Sequence, residues 1–419
     1  MEIWTMAQAD QNEQGDLLST LTRRVFGAAT AAAIAATVLA GAPAAATPTT
    51  PVTITMPRLS GHLPVGTRDV DLVDAHRVDP WHPDRQRELM VTVSYPAARS
   101  GGTRAPWVSS GVAAVLNQLA ASPDVLGLPS GSINWTATRR NAVLDAPAAP
   151  GKWPVVLYSP GFGSAREFNA SVVDDLASHG YLVVSMSHTY ESAAVQFPDG
   201  RVVYGNITQS DPATMKTAID VRVADSRFVL DWVARTLPMA DMSRVGMAGH
   251  SYGGYTAGET MVQDRRVDAG VDIDGALRYS SDPYLPGQVV TQGLDRPFML
   301  FGADFTDESG TTIPHSHRTP EFDRSWADFW ATQRGWKRDL HLDHTTHYSF
   351  TDLQFVVPAV RALITPEAAA RTVGTINPTE SLAAQHEYLS AFFDLHLNGR
   401  DRGLFTRSSP CFPDAHFIK

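Results

Sequence analysis

One short motif constrains the fold of this chain more than any other part of its sequence. It is Gly-His-Ser-Tyr-Gly at residues 249–253, a G-x-S-x-G pattern between an apolar run, 244–248, and a helix-compatible segment, 255–263. In a strand–turn–helix of this kind the serine takes a strained backbone conformation, which requires small residues around it. The motif therefore predicts that Ser251 projects from a strand end as a nucleophile. A hydroxyl attacks poorly at neutral pH, so the chain must also supply a base, an acid that orients the base, and N–H donors for an oxyanion.

The N-terminal segment has the order of features found in twin-arginine export signals. Arg23 and Arg24 precede a run of small and apolar residues, which leads to Ala-rich sequence with A-x-A patterns ending at Ala44 or Ala46. We therefore expect residues 1–46 to be an export signal that is removed, leaving a secreted or extracytoplasmic protein. A membrane anchor would need about twenty apolar residues, and this run is shorter and is followed by prolines.

Net charge and cysteine content narrow the functional classes. The chain has a formal net charge of −10 at pH 7. This acidic balance argues against nucleic acid and anionic membrane surfaces as main partners. Cys411 is the only cysteine, so no disulfide can form within the chain and its stability must come from the hydrophobic core.

Apolar runs alternate with helical patterns along most of the chain. Residues 47–64 are rich in Thr, Pro and Ala and predict a linker or an irregular arm, and residues 65–419 follow as one domain. The alternation predicts an α/β fold with a mostly parallel sheet, helices on both faces, and reactive groups at the carboxyl ends of the strands. The strand candidates are 88–95, 154–158, 181–187, 245–248, 267–273, 297–302 and, more weakly, 338–342. The helix candidates are 166–179, 213–236, 255–263, 321–333, 352–363 and 380–397.

Two segments interrupt this alternation. Residues 97–153 form an insertion between two strand candidates, with an apolar helix-like stretch at 112–119 flanked by Trp107 and Trp135. Two interpretations stay open for the insertion, which either covers an acyl pocket or is a peripheral decoration. The second segment, 279–296, predicts a surface loop.

A glycine-containing loop supplies candidates for the oxyanion donors. The sequence Tyr-Ser-Pro-Gly-Phe-Gly-Ser at 158–164 follows a strand candidate and precedes a helix candidate. In such an architecture this loop provides one oxyanion N–H, and the residue after the nucleophile provides the other. These positions nominate the backbone N–H groups of Phe162 and Tyr252. A phosphate-binding loop is excluded, because no Gly-Lys-Ser/Thr follows the glycines.

His347 is the predicted base, because it follows the last strand candidate, where a loop can bring an imidazole over Ser251. His341 and His344 are rivals for this role. Together with the His-Ser-His at 315–317, they also raise the alternative of a metal site. No H-E-x-x-H or comparable ligand pattern occurs, so neither a metal nor another cofactor is expected.

Two aspartates compete for the role of the acid. Asp274 ends the strand after the nucleophile helix, and Asp272 lies on the same side of that strand, two residues deeper. Asp304 ends the next strand, which is the commoner place for the acid in an architecture of this kind. Spacing alone leaves the choice between Asp274 and Asp304 open.

Several segments together resemble one family of hydrolases. They are similar to segments of the platelet-activating factor acetylhydrolases of the plasma and type II intracellular kind, and they occur in that family's order. The resemblance extends from about residue 67 to residue 355 and includes the insertion. The matching segments are Tyr95-Pro96, 158–163, 176–181, 249–254, 272–275 and 347–352.

The resemblance implies an α/β-hydrolase fold and a calcium-independent Ser-Asp-His triad. The family takes its acid from the end of the strand after the nucleophile helix. Carried over by position, this implies Ser251, Asp274 and His347 as the triad, with Phe162 and Tyr252 as oxyanion donors. The implied substrates are short-chain or oxidised acyl esters of phospholipids, and the implied reaction is ester hydrolysis.

Two departures from the family pattern concern the substrate. Pro160-Gly161 stands where the family usually has His-Gly, and residues 188–191 stand where it has an Arg-Asp pair. We expect both departures near the acyl or head-group side. A broad secreted lipase, esterase or polyester hydrolase of the same fold therefore stays an alternative. An exported acyltransferase and a binding protein with an inactive site are further alternatives.

Other side chains have simpler interpretations. The aromatic stripe at 322–330 is interpreted as core, although such a stripe could also make transient contact with a lipid surface. Asp225, Asp231 and Glu259 are interpreted as solvated helix charges. His250 is interpreted as a packed, hydrogen-bonded core histidine, because a tight turn aims it away from its neighbour Ser251.

Overall fold

The computed structural model describes residues 50–419, apart from residues 124, 208, 210, 308, 309 and 408. The predicted export signal lies outside the described residues. The strands are β1 (Val65–Val78), β2 (Gln86–Pro96), β3 (Arg104–Pro106), β4 (Arg139–Leu144), β5 (Trp153–Ser159), β6 (Leu182–Ser187), β7 (Ala194–Gln196), β8 (Val202–Tyr204), β9 (Ala240–His250), β10 (Ala269–Ile273), β11 (Arg278–Ser280), β12 (Leu285–Pro286), β13 (Phe298–Gly302), β14 (Asp304–Thr306), β15 (Thr312–Pro314), β16 (Lys337–Leu342) and β17 (Ala415–Phe417). The α-helices are α1 (Ser110–Ala121), α2 (Ala170–Ser178), α3 (Pro212–Thr236), α4 (Tyr252–Gln263), α5 (Gln288–Gln292), α6 (Arg324–Thr332), α7 (Leu353–Ala359), α8 (Pro366–Val373) and α9 (Pro378–Asn398).

Eleven strands form one sheet, in the order β17-β16-β13-β10-β9-β5-β6-β2-β1-β4-β3. The six strands from β16 to β6 in this order are parallel to one another. Antiparallel pairs occur towards the two margins, where β17, β2 and β3 join the sheet. The predicted α/β fold with a mostly parallel sheet is therefore confirmed. Because parallel strands end at the same edge, the loops after β5, β9, β10 and β16 lie close together.

Helices cover both faces of the sheet and bury two hydrophobic clusters. On one face, α3 and α4 contribute side chains such as Leu230 and Met261. On the other face, α2 and α9 contribute side chains such as Leu176 and Phe392. The central strands β5, β6, β10 and β13 are buried almost without interruption, which explains why the sequence shows them as continuous apolar runs.

The sequence prediction missed β1, the longest strand of the sheet. This strand pairs with β2, but much of its length is half-exposed, and Asp71, Val73 and His76 face solvent. A strand with one solvated face has no continuous apolar run, which was the signal that identified the central strands. Every predicted strand and helix does overlap an observed element.

The segment 279–296 is not the surface loop that the sequence predicted. It contains β12 and α5, and it buries Val289 and Val290 against the core below α4. The apolar run at 289–290 was too short to show a helical periodicity. The polar residues on either side of it therefore led to the prediction of a loop. The aromatic stripe on α6 does belong to the core, since Trp326 and Phe329 are fully buried.

The insertion joins the sheet and shares a third hydrophobic cluster with helices α7 and α8. Its strand β4 pairs with β1, and its helix α1 packs in a cluster with Trp107 and Trp135. Ile54 and Met56, from the irregular segment before β1, are buried in the same cluster. None of the helices in the described part of the chain is both long enough and apolar enough to span a bilayer.

Candidate active site

Ser251 occupies a sharp turn between β9 and α4. Its backbone φ of 56° and ψ of −128° lie in a region that non-glycine residues rarely adopt. The neighbouring backbone approaches closely. A Cβ atom on Gly253 would lie 1.9 Å from the Ser159 carbonyl oxygen, and one on Gly249 would lie 2.2 Å from Gly253. Packing therefore requires both glycines of the motif, as the sequence predicted.

Asp274 and His347 form a short hydrogen bond close to this turn. His347 Nδ1 lies 2.6 Å from Asp274 Oδ2. Asp274 follows β10, the strand next to β9, and His347 begins a 3₁₀ turn after β16. His250 is buried, as expected, and its Nε2 donates to the His347 carbonyl at 2.9 Å. The structure thus brings the predicted acid and base together beside the residue that precedes Ser251.

The Ser251 hydroxyl makes no hydrogen bond among the described residues. Without a bound substrate, the contact between a nucleophile and its base is often long, and it tightens in the reacting complex. The His347 side chain is 29% exposed, so a substrate can reach it. The arrangement is suited to moving a proton from Ser251 to His347 while Asp274 orients the imidazole.

Asp304 and His341, the rival acid and base, pair with each other one strand further along the sheet. His341 Nε2 lies 2.9 Å from Asp304 Oδ1, and the His344 N–H donates to Asp304 Oδ2 at 2.7 Å. With Asp343, this pair also forms a group whose ligand atoms lie within 4.8 Å of one another. A metal-bound histidine normally donates its other ring N–H to an acceptor. Within the described residues His341 Nδ1 is buried without a partner, so the group fits a hydrogen-bonded pair of histidine and carboxylate better than a metal site.

A second histidine, His315, contacts the other oxygen of Asp274. Its Nδ1 lies 2.8 Å from Asp274 Oδ1, its Nε2 lies 3.1 Å from Asp323 Oδ2, and its ring stacks on Trp326. Burial alone would lower the pKa of His315, but the hydrogen bonds to two carboxylates raise it to about 10. Burial alone would raise the pKa of Asp274, but the hydrogen bonds from His315 and His347 hold it well below its usual range. Sequence reasoning noticed His315 only as a candidate metal ligand.

The predicted oxyanion donors are both free to bind a ligand. Among the described residues, the backbone N–H groups of Phe162 and Tyr252 have no hydrogen-bond partner, although both residues are buried. Nearly all buried N–H groups in native proteins are paired, so two unpaired ones near the same serine indicate a site for an acceptor. The loop that carries Phe162 lies against Ser251, because a Cβ atom on Gly161 would be 3.3 Å from Ser251 Cβ.

A wholly buried serine, histidine and aspartate lie beneath the same loop. Ser159 Oγ is 3.0 Å from His188 Nε2, and His188 Nδ1 is 2.9 Å from Asp225 Oδ2. We call these three residues the Ser159 group. Burial, and next the charge of Arg222, lower the pKa of His188, so its ring is neutral. Arg222 Nη1 also donates to Ser159 Oγ at 3.1 Å, which leaves this hydroxyl fully engaged.

These contacts correct several interpretations from the sequence. Asp225 is not a solvated helix charge, because it is fully buried and pairs with Arg87. Glu259 is buried as well, and burial raises its pKa to about 7. Residues 188–191 are all buried, and none of them lines the apolar cavity beside the loop, so their place near the acyl or head-group side stays a prediction. Asp231 alone is a half-exposed helix charge, as expected.

An apolar cavity of about 120 Å³ adjoins the loop that carries Phe162. Its walls come from helix α1 of the insertion, from the end of that loop, and from residues that follow His347. Few of the lining side chains are polar, so the cavity fits an apolar group of a ligand. The lining residues are Val112, Val115, Leu116, Leu119, Ala120, Val125, Leu126, Trp135, Gly163, Ser164, Ala165, Phe168, Ala193, Ala194, Tyr348, Leu353, Arg371 and Thr372.

Known proteins resemble this chain in sequence. The family model described as "Platelet-activating factor acetylhydrolase, isoform II" matches residues 50–200. A protein of Arthroderma benhamiae named "Probable 1-alkyl-2-acetylglycerophosphocholine esterase" is 32% identical over 278 residues, which cover 63% of this chain and 66% of that protein. The platelet-activating factor acetylhydrolase of Cavia porcellus is 22% identical over 233 residues, which cover 49% of each chain. The chain thus spans about half to two thirds of the length of these curated relatives.

A solved structure is similar over nearly its whole length. It is a ferulic acid esterase from Streptomyces cinnamoneus, with a TM-score of 0.71 and 35% identity, covering 87% of this chain and 99% of that one. Fold and site together define a carboxylic ester hydrolase with the α/β-hydrolase fold. The names of the similar proteins agree with this class. Within it, the chain belongs to the platelet-activating factor acetylhydrolase family, so the resemblance is confirmed.

Proposed function

We propose that this protein is a serine ester hydrolase that works through an acyl-enzyme. His347 takes the proton of Ser251, the hydroxyl attacks an ester carbonyl, and the N–H groups of Phe162 and Tyr252 bind the oxyanion. The alcohol leaves with a proton from His347, and a water activated by the same imidazole then releases the acid. Asp274 holds the imidazole tautomer and stabilises its cation.

The main support is the combination of groups around the turn at Ser251. In the described part of the chain, two unpaired N–H groups of buried residues adjoin a strained serine. A histidine bound to a carboxylate packs against His250, the residue before that serine. Ion pairs and tight turns are common separately. Together at one edge of the sheet they supply the nucleophile, base, orienting acid and oxyanion donors that acyl transfer requires.

Fluorophosphonate labelling tests the nucleophile directly, because the probe reacts with activated serine hydroxyls. The purified wild-type protein should be labelled, and Ser251→Ala should not. Ser159→Ala is the matched control and should be labelled like the wild type, because the Ser159 hydroxyl is fully buried. Labelling of Ser251→Ala at the wild-type level would refute the assignment of the nucleophile.

We further propose that the acyl group of the substrate occupies the apolar cavity beside the loop. Gly163 and Ser164 in its wall directly follow the oxyanion donor Phe162, and Tyr348 directly follows the base. The names of the Arthroderma benhamiae and Cavia porcellus relatives favour acetyl esters of glycerophosphocholine lipids. The family resemblance extends the proposal to other short or oxidised acyl chains. The cavity supports an apolar acyl group over a charged one.

A blocking variant tests the cavity. Leu116→Trp should fill it, because Leu116 is a buried lining residue of α1. We expect its kcat/KM on nitrophenyl octanoate to fall by roughly tenfold or more, and its kcat/KM on nitrophenyl acetate to change little. Ala114→Trp is the matched control, since Ala114 lies on the exposed side of the same helix. An equal loss on both esters would contradict the acyl assignment.

A second candidate function is hydrolysis of aromatic acid esters. It is favoured by the ferulic acid esterase, which resembles this chain over 87% of its length. Hydrolysis rates would be measured on methyl ferulate, on an acetyl glycerophosphocholine and on a polyester film. The fastest of the three would show whether the preferred substrate is an aromatic ester, a phospholipid or a polyester. Product analysis with added alcohol would detect transfer to an acceptor other than water.

Export through the twin-arginine route completes the proposal. The support is the Arg23-Arg24 pair with its apolar run and A-x-A patterns. Replacing both arginines with lysine should retain the full-length precursor in the cytoplasm of the producing cell. Secretion of the double variant at the wild-type level would show that another route is used.

A further inference from the structure

The peptide unit between Gly161 and Phe162 is held from its carbonyl side by a buried cation. Arg222 Nη2 donates to the Gly161 carbonyl at 3.1 Å, and Arg222 Nη1 donates to the Pro160 carbonyl at 2.8 Å. Arg222 is fully buried, although it projects from α3 rather than from the loop. Two consecutive carbonyls of the oxyanion loop thus accept from one side chain, and the Gly161 carbonyl accepts in addition from the Ser164 N–H at 3.0 Å.

We propose that Arg222 is the positioning residue of the oxyanion site. The Gly161 carbonyl and the Phe162 N–H belong to the same planar peptide group. Holding the carbonyl in place therefore fixes the direction of the N–H, which lies in the same plane and points the opposite way from the carbonyl in this trans peptide. A hydrogen bond from a cation to the carbonyl also polarises the peptide, which strengthens its N–H as a donor.

The guanidinium is itself held in one orientation. Glu191 accepts from both Arg222 Nε, at 2.8 Å, and Arg222 Nη2. Arg222 also lies over the ring of Tyr252, with its Cζ 5.3 Å from the ring centroid. The same side chain thus contacts the peptide of one proposed oxyanion donor and the ring of the other. Only an arginine has enough donors in a fixed fork to serve the loop and Glu191 together.

Sequence spacing alone could not reveal this role. Arg222 lies 61 residues after Gly161, inside a helix whose other charges include solvated ones such as Asp231. The inference rests on the proposed function, because it presupposes that the Phe162 N–H binds the oxyanion. It adds a residue that never touches the substrate and acts only through the backbone of the loop.

The experiment compares Arg222→Lys with Arg87→Lys. Arg87 is an equally buried arginine that pairs with Asp225 and Asp79, but it donates to the Thr189 carbonyl instead of the oxyanion loop. The measurements are kcat and KM on nitrophenyl acetate, and the inhibition constant of a trifluoromethyl ketone, which forms a tetrahedral adduct with serine. The thermal midpoint and the fluorophosphonate-labelled fraction correct each rate for folded protein.

Arg222→Lys should lower kcat by roughly 10- to 100-fold, which is less than the loss of a whole oxyanion donor. The KM should stay within about threefold of wild type, and the ketone should bind more weakly by the same factor as kcat/KM falls. Arg87→Lys should keep kcat within about threefold once corrected for folding. A merely structural role for Arg222 would lower stability and leave the ratio of ketone affinity to KM unchanged, which would overturn the inference.

Glu191→Gln provides a second variant if Arg222→Lys does not fold. It loosens the guanidinium without removing it, and kcat should fall by roughly threefold to tenfold with little change in KM. An unchanged kcat would overturn the inference. Failure of the proposed function would look different, because wild type would then resist the fluorophosphonate or Ser251→Ala would stay active.

Discussion

The Ser251 group, which consists of Ser251, His347 and Asp274, and the Ser159 group contain the same three side-chain types on neighbouring parts of the sheet. Strands β5 and β9 pair directly, with Ser159 opposite Gly249. The Ser159 group has an unbroken chain of hydrogen bonds from hydroxyl to carboxylate. In the Ser251 group only the bond between histidine and aspartate is formed. The better-connected group is the one that no substrate can reach.

Hydrogen bonding alone therefore does not identify a reactive serine. The Ser159 hydroxyl already accepts from Arg222, and all three members of its group are fully buried. Ser251 stands instead at a strained turn, next to two unpaired N–H groups and a partly exposed imidazole. Access and unpaired N–H groups separate the two groups of residues, and the proposed acyl transfer needs both room for an ester and a partner for its developing charge.

The largest expected difference between the groups is in turnover. Ser251→Ala should lower kcat on nitrophenyl acetate by roughly 10⁵- to 10⁶-fold, because the nucleophile and base of such a site act as a unit. Ser159→Ala should keep kcat within about tenfold of wild type, since it removes a buried contact without touching the reacting atoms. Steady-state kinetics on both purified variants measures the contrast. An inactive but folded Ser159→Ala would break the comparison.

The next effect distinguishes the two acids that follow adjacent strands. Asp274→Asn should lower kcat by roughly 10⁴-fold, because an amide favours the wrong imidazole tautomer. Asp304→Asn alters the contacts with His341 and with the His344 N–H, and it should change kcat by less than about tenfold. Single-turnover rates would show which carboxylate serves the base. A larger loss in Asp304→Asn would transfer the role of the acid to Asp304.

A third effect concerns stability, because we expect the Ser159 group to stabilise the fold. Asp225→Asn should lower the free energy of unfolding by about 3–5 kcal/mol, because it leaves the buried Arg87 short of a partner. Asp231→Asn, on the same helix, should change it by less than about 1 kcal/mol, because its side chain is half-exposed. Urea unfolding measures both values. Equal losses of unfolding free energy in the two variants would mean that the buried Ser159 group adds no more to stability than an exposed ion pair.

The smallest effect is a pH dependence of stability at the second histidine of the Ser251 site. The folded pKa of His315 is raised to about 10, above its ordinary value of about 6.5. Its contribution is therefore fully present below about pH 6.5 and is lost as the pH rises towards about 10. Between pH 7 and 10 the wild type should lose roughly 2–4 kcal/mol more unfolding free energy than His315→Gln. Urea unfolding at each pH gives the free energy of unfolding of both proteins. The same change with pH in the wild type and in His315→Gln would show that His315 is not held as a cation.

Much of the framework was predictable because the central strands are buried on both faces. Segments such as 154–158 and 297–302 are short apolar runs, and the structure has β5 and β13 there. Strand β1 was not predictable in this way, since its solvated face interrupts the apolar pattern. The prediction of a surface loop at 279–296 was wrong for a different reason. The segment has too few apolar residues to show a helical periodicity, although the core buries Val289 and Val290.

The site shows a similar division between local and distant signals. The sequence alone predicted Ser251, His347 and the two candidate aspartates, because each of them follows a predicted strand. The choice of Asp274 came from the family resemblance and stays a prediction, although the structure pairs it with His347. His315 carries no local signal, because its partner Asp274 lies 41 residues away in sequence. Such contacts are set by the fold and not by spacing along the chain.

Helix α1 forms one wall of the apolar cavity, and it belongs to an insertion at the margin of the sheet. The proposed reacting groups come from different places, namely the loops after β5, β9, β10 and β16. Under the proposed function, selectivity and reactivity are therefore carried by separate pieces of the polypeptide. Exchanging residues 97–153 for the corresponding segment of another esterase should therefore change which acyl groups are accepted. The residues proposed to carry out the hydrolysis would stay in place.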